Sequence, residues 1–67
     1  MAVARVTEII AGSEKSFEDA IIQGVERATT TLNNVESAWV KEQQAIVRGG
    51  RIAEYRVNLK VTFILDD

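Results

Sequence analysis

Tyr55, Val57, Leu59, Val61, Phe63 and Leu65 place an apolar side chain at every second position, with Arg56, Asn58, Lys60, Thr62 and Ile64 between them. A period of two is the pattern of a β-strand with one buried face and one mostly polar face. The strand this predicts, over residues 51–65, would be about 50 Å long at roughly 3.3 Å per residue. A compact domain of this chain length has a radius of gyration near ~11 Å. The strand therefore overhangs its own domain, and a neighbouring copy is the simplest cover for the overhang.

Just upstream, Arg48-Gly49-Gly50-Arg51 sets two glycines where a two-residue hairpin loop needs positive φ. Residues 35–48 then form the partner strand. One face of it carries Ala38, Val40, Glu42, Gln44 and Ile46, and the other carries Ser37, Trp39, Lys41, Gln43, Ala45 and Val47. Val40 and Ile46 fit the side packed on a helix, so Trp39 is expected to point out of the monomer. An exposed tryptophan on an uncovered sheet face is a candidate contact residue.

Further upstream, Ser16-Phe17-Glu18-Asp19 fits a capping box, in which Ser16 accepts from the Asp19 amide and Asp19 reaches back to the amide of Ser16. Phe17, Ala20, Ile21, Val25, Ala28 and Leu32 follow at helical spacing as one apolar stripe. Asn33 and Asn34 end the helix, because asparagine tolerates the left-handed conformation. Residues 3–10 are rich in β-branched types and read as the first strand, broken by Ala11-Gly12-Ser13.

The chain is thus one α+β domain over residues 1–67, ordered β-α-β-β. The helical crossover makes the second strand parallel to the first, the hairpin makes the third antiparallel to the second, and the cleaner alternation of the third favours it as the central strand. The result is a three-stranded antiparallel sheet of order 1-3-2 wrapped on one helix. A helix of roughly 24 Å cannot cover strands twice that length, nor both faces of a sheet.

Composition narrows the function. A domain this small often needs a disulfide, a metal or oligomerisation to be stable. The 67 residues include no Cys and no His. That removes disulfides and the usual zinc sites and leaves oligomerisation. A net charge of −2, with 8 basic and 10 acidic residues interspersed, gives no electrostatic footprint for nucleic acid. No apolar run is long enough for a membrane span and no signal-peptide core is present, so a cytoplasmic location is expected. With no nucleophilic Cys, no His base and no phosphate-binding loop, an enzyme is not expected.

The pattern resembles the dodecin family. The resemblance is carried by Ile10-Ala11-Gly12-Ser13, Ser16-Phe17-Glu18, the stretch Ala28 to Leu32, Asn34-Val35, Glu54-Tyr55-Arg56-Val57 and Leu59-Lys60-Val61-Thr62-Phe63. It implies small β-α-β-β subunits that assemble into a hollow homododecamer and, in many members, sequester a flavin. In flavin-binding members an aromatic residue early in the second strand stacks on the ring, and a glutamine after the tyrosine of the third strand reads its polar edge. Here those positions hold Ser37 and Arg56, with Trp39 two residues past the first.

The candidate ligand-binding set is Ser37, Trp39, Gln43 and Arg56, for a riboflavin, FMN or FAD ring. Each has a plainer reading. Trp39 also suits the core of an interface between copies, and Arg56 suits an ion pair with Glu54 on its own face. Some dodecin-like proteins hold calcium in place of flavin, and the alternative function is such an assembly, or an interaction scaffold built on Trp39. No metal ligand is assigned. Asp66-Asp67 reads as a solvated tail, with weak cation binding open to it if several tails converge.

Overall fold

The computed structural model describes residues 3–66, with Met1, Ala2 and Asp67 outside the described segment. The elements are β1 (Ala4–Ser13), α1 (Phe17–Thr31), β2 (Val35–Arg48) and β3 (Arg51–Ile64). They form one antiparallel sheet of order β1-β3-β2, as the alternation in β3 predicts. The molecule measures 51 × 19 × 13 Å with a radius of gyration of 13.7 Å, well above the roughly 11 Å of a compact chain of this length. The excess is the β2–β3 arm.

Val57, Leu59 and Val61 of β3 are fully buried against Ala20 and Ala28 of α1. Phe17, Ile21, Val25 and Leu32 pack around them, as the helical stripe requires. Tyr55 meets Phe17 edge to face, with ring centroids 5.1 Å apart. Phe63 has the same parity but lies past the core and is only half-buried. The sequence stripe passes over Gly24. This residue is buried, and a Cβ there would stand 2.7 Å from Leu59 Cδ1 and 3.0 Å from Ala11 Cβ. Glycine at that point sets how closely α1 approaches the sheet.

Three local expectations are corrected. β1 does not break at Ala11-Gly12-Ser13. It continues through Gly12↔Arg56 and Ser13↔Tyr55, because the long β3 offers a paired lane that far. The capping box is half formed. Ser16 Oγ accepts from the Asp19 amide at 2.9 Å, but the Asp19 carboxylate turns to Ser13 Oγ at 2.6 Å and Gln23 Nε2 at 2.6 Å. β2 is not a regular two-faced strand, for its register shifts between Val35 and Ser37, Val40 and Glu42, and Ile46 and Val47.

The hairpin exit behaves as expected, while the helix stops at Thr31 with Leu32 as an extended cap, ahead of the expected Asn33-Asn34. Asn34 takes φ 61° after the helix, and Gly49 and Gly50 take φ 59° and 76° in the hairpin. Asn34 also ties down the C-terminus, its Nδ2 donating to Ile64 O at 3.2 Å and Asp66 Oδ1 at 2.7 Å. Asp66 is therefore anchored and not a frayed tail, while Asp67 falls outside the described residues.

Candidate functional site

The helix covers one face of the sheet, so chemistry open to a ligand or a partner sits on the other. Directly opposed residues in an antiparallel pair share a face, and the register between β2 and β3 therefore sorts the side chains. Opposite the buried Val61 and Leu59 stand Ala38 and Val40, on the helix side. Ser37 opposes Thr62 and Trp39 opposes Lys60, on the helix-free side. Trp39 is 69% exposed there, as its parity with Ser37 foretells.

The bulge after Val40 then reverses the parity of β2. Glu42 opposes Asn58, Gln44 opposes Arg56 and Ile46 opposes Glu54, all on the helix-free face. Gln43 opposes the buried Val57 and Ala45 opposes Tyr55, on the helix side. This overturns the expected placement of Ile46 beside Val40 and of Gln43 beside Trp39. One extra residue in a strand shifts the alternation of everything beyond it, and no residue type in Val40-Lys41-Glu42 announces it. Lys41, at the bulge, donates to Glu8 of β1 at 3.5 Å.

Of the candidate set, Ser37, Trp39 and Arg56 share the helix-free face and Gln43 does not. They are strung out along it. Arg56 lies six positions along β3 from the partner of Ser37, about 20 Å, and four from the partner of Trp39, about 13 Å. Between Trp39 and the hairpin lies a concavity of about 350 Å³ lined by Ile10, Glu42, Gln43, Gln44, Arg56, Val57 and Asn58, with Trp39 outside its lining.

Arg56 is not free in this site. Its Nη2 donates to Glu54 Oε1 at 2.7 Å. The Glu54 carboxyl lies over Gly12, where a Cβ would come within 2.8 Å of Glu54 Cδ and closer still to Oε2. Gly12 is thus the bare spot that lets Glu54 hold the guanidinium on the sheet surface. At the near end of α1, the hydrogen bond from Ser13, then that from Gln23, holds the Asp19 carboxyl below the ordinary aspartate range. That cluster joins β1 to α1 and takes no part in the concavity. Among the described residues no three His, Cys, Asp or Glu side chains gather to hold a metal ion, and no helix is long and apolar enough to cross a membrane.

Comparison with known proteins matches this architecture. The family model described as Dodecin covers residues 3–66. The chain belongs to the dodecin family. It is 35% identical over 63 residues to the calcium dodecin of Mycobacterium tuberculosis, covering 94% of this chain and 89% of that one. It superposes on a dodecin from Streptomyces davaonensis with a TM-score of 0.94 at 36% identity, over 98% of this chain and 97% of the other. It superposes on the crystal structure of the calcium-chelating antigen calcium dodecin of M. tuberculosis with a TM-score of 0.84 at 33% identity, over 96% and 91%. The dodecin fold is therefore shared along nearly the whole described chain.

Proposed function

We propose that this dodecin is a homo-oligomeric binding protein of the cytoplasm that sequesters a planar small molecule, with a flavin as the leading ligand class, and that it is not an enzyme. The observation that carries the reading is Trp39, exposed on the helix-free face at one end of a stretch of that face whose other end holds Arg56 and Gln44, which line a concavity. The roughly 13 Å between these ends suits a fused three-ring system lying along the strands and is too long for a single ring. Trp39 offers a stacking surface, and Arg56 offers hydrogen-bond donors to ring carbonyls. Ser37, at the aromatic position of flavin-binding relatives, carries no ring. The stacking then falls to Trp39 alone, which supports modest affinity.

Assembly is part of the same proposal. Val6, Ile10, Trp39, Val47 and Ile52 are large apolar residues that stand exposed on a monomer lacking disulfides. A closed shell of twelve copies, which the family resemblance implies, would cover much of that surface. A second reading keeps the shell and replaces the flavin with calcium, and it is favoured by the relative named calcium dodecin. Because no acidic cluster forms within the described part of one protomer, that site would draw carboxylates from several copies.

One pair of titrations separates the two. Riboflavin added to the purified protein should lose fluorescence as it stacks on Trp39. Calcium added to chelator-treated protein should give no saturable heat under the flavin reading. Saturable calcium binding with no flavin quenching would replace the first reading with the second.

A further inference from the structure

The hairpin at the end of the arm joins two arginines. Arg48 and Arg51 stand directly opposite each other across Gly49-Gly50, so their Cα atoms lie about 5 Å apart and their side chains leave the same face of the sheet. Arg51 has the parity of Tyr55, which meets Phe17 at the first turn of α1, so that face is the helix side. Arg51 lies about 13 Å along β3 from Tyr55, past the start of the helix. The helix leaves that end of the sheet uncovered, and both arginines are exposed. Like charges directly opposed in a sheet destabilise it, and a carboxylate nearby would relieve them. Among the described residues neither guanidinium has one, for the ion pairs there are Lys41 with Glu8 and Arg56 with Glu54. Glu54 lies on the other face and is held by Arg56 at 2.7 Å. A Cβ built on Gly49 or Gly50 would meet no atom within 4 Å, so the tip is open to an approaching ligand. Arg48 also borders a cavity of about 430 Å³ at the end of β1, with Ser13, Glu14, Gln23 and Ala53 among its other lining residues.

Each guanidinium is a planar fork of five N–H donors. A carboxylate fills one such fork. A phosphate group, with three outward oxygens, suits two forks on adjacent strands at once. We propose that Arg48 and Arg51 form an anion clamp at the hairpin tip for a multiply charged phosphate, free or carried on a small molecule whose remainder lies in the cavity beside Arg48. Glu14, on the border of that cavity, opposes the anion and lowers its affinity. The clamp lies on the opposite face of the sheet from Trp39 and stands independently of the ligand proposed there.

The test is calorimetric titration of sodium pyrophosphate into the assembled protein, at constant ionic strength in a phosphate-free buffer. The unaltered protein should give saturable heat. Arg48→Gln and Arg51→Gln should each weaken binding by about tenfold or more, the worth of a hydrogen bond to a charged group. Arg48→Lys with Arg51→Lys should weaken it as well, because the charges remain and the forks are lost. Glu14→Gln should tighten it. ADP in place of pyrophosphate tells the two sources apart, since tighter binding assigns the clamp to a diphosphate carried on a small molecule and weaker binding to the free ion. Thermal melts separate binding from a structural role. Without pyrophosphate, Arg48→Gln with Arg51→Gln should melt no lower than the parent, because a like-charge opposition has gone. Pyrophosphate should raise the melting temperature of the parent and not of that double variant. No saturable heat from the unaltered protein, or heat that the double substitution leaves intact, would overturn the proposal. So would a double variant that loses the parent's mass in light scattering, which would place carboxylates of a neighbouring copy between the arginines.

Discussion

At the scale of single residues, Trp39 and Asp19 show how position decides what a side chain does. Trp39 opposes Lys60 on the uncovered face, where its ring contributes little to the monomer core and is free to stack. Trp39→Ala should abolish riboflavin quenching and leave the far-UV circular dichroism unchanged. Stacking of a base on an aromatic side chain is worth about 1–3 kcal/mol. Restoring the family's aromatic and glutamine together, as Ser37→Trp with Arg56→Gln, should accordingly tighten riboflavin by about tenfold or more. Tight native binding that survives Trp39→Ala would place the pocket elsewhere. Asp19 accepts from Ser13, which is buried, and from Gln23. These bonds favour the charged carboxylate and lower its pKa in the folded state. A lowered pKa contributes stability above the unfolded value, and that stability is lost as pH falls through the folded one. Melting temperature should thus drop below about pH 4, and less so in Asp19→Asn, measured at one protein concentration.

At the scale of elements, the junction of α1 with β3 holds the monomer together. Leu59 is fully buried beneath Gly24. Leu59→Ala should cost about 2–5 kcal/mol in denaturant unfolding. Phe63→Ala should cost less, because Phe63 is half-buried beyond the core. Gly24→Ala poses two effects against each other. Alanine gains about 1 kcal/mol of helix propensity over glycine, but the new Cβ presses on Leu59 and Ala11 from both sides. Overpacking costs about 1–3 kcal/mol, so the variant should be no more stable than the parent, and Gly24→Val clearly less. The alternation in β3, the hairpin glycines and the apolar stripe of α1 were all legible in the sequence, because each is a local pattern with a fixed period. Gly24 was not, since a glycine inside a helix has no period and matters only for what lies across from it.

At the scale of the whole molecule, one dimension stands out. The arm gives a length of 51 Å to a chain of 67 residues, and α1, at 15 residues, covers less than half of it. β2 is exposed along most of its length, and among the described residues nothing pairs with its outer edge. An open edge of that length invites association. Light scattering should give a mass near twelve times the 7.4 kDa monomer. The apparent stability should rise with protein concentration, as it does for any assembly whose protomers depend on one another. A folded monomer that persists at micromolar concentration would contradict both expectations.

The sequence by itself determined the element order, the antiparallel 1-3-2 sheet and the outward-facing Trp39, and it grounds the expectation of partners. These follow from side-chain period, from glycine at positive φ and from a strand too long for its domain, all of which are local or set by length. The tertiary structure alone decided which of two neighbouring glutamines stands opposite Arg56 on the helix-free face, that Arg56 is clamped by Glu54 above Gly12, and how closely the helix lies on Leu59. Each depends on the register between strands. A single inserted residue after Val40 reverses the faces beyond it, and only the pairing with β3 reveals the insertion.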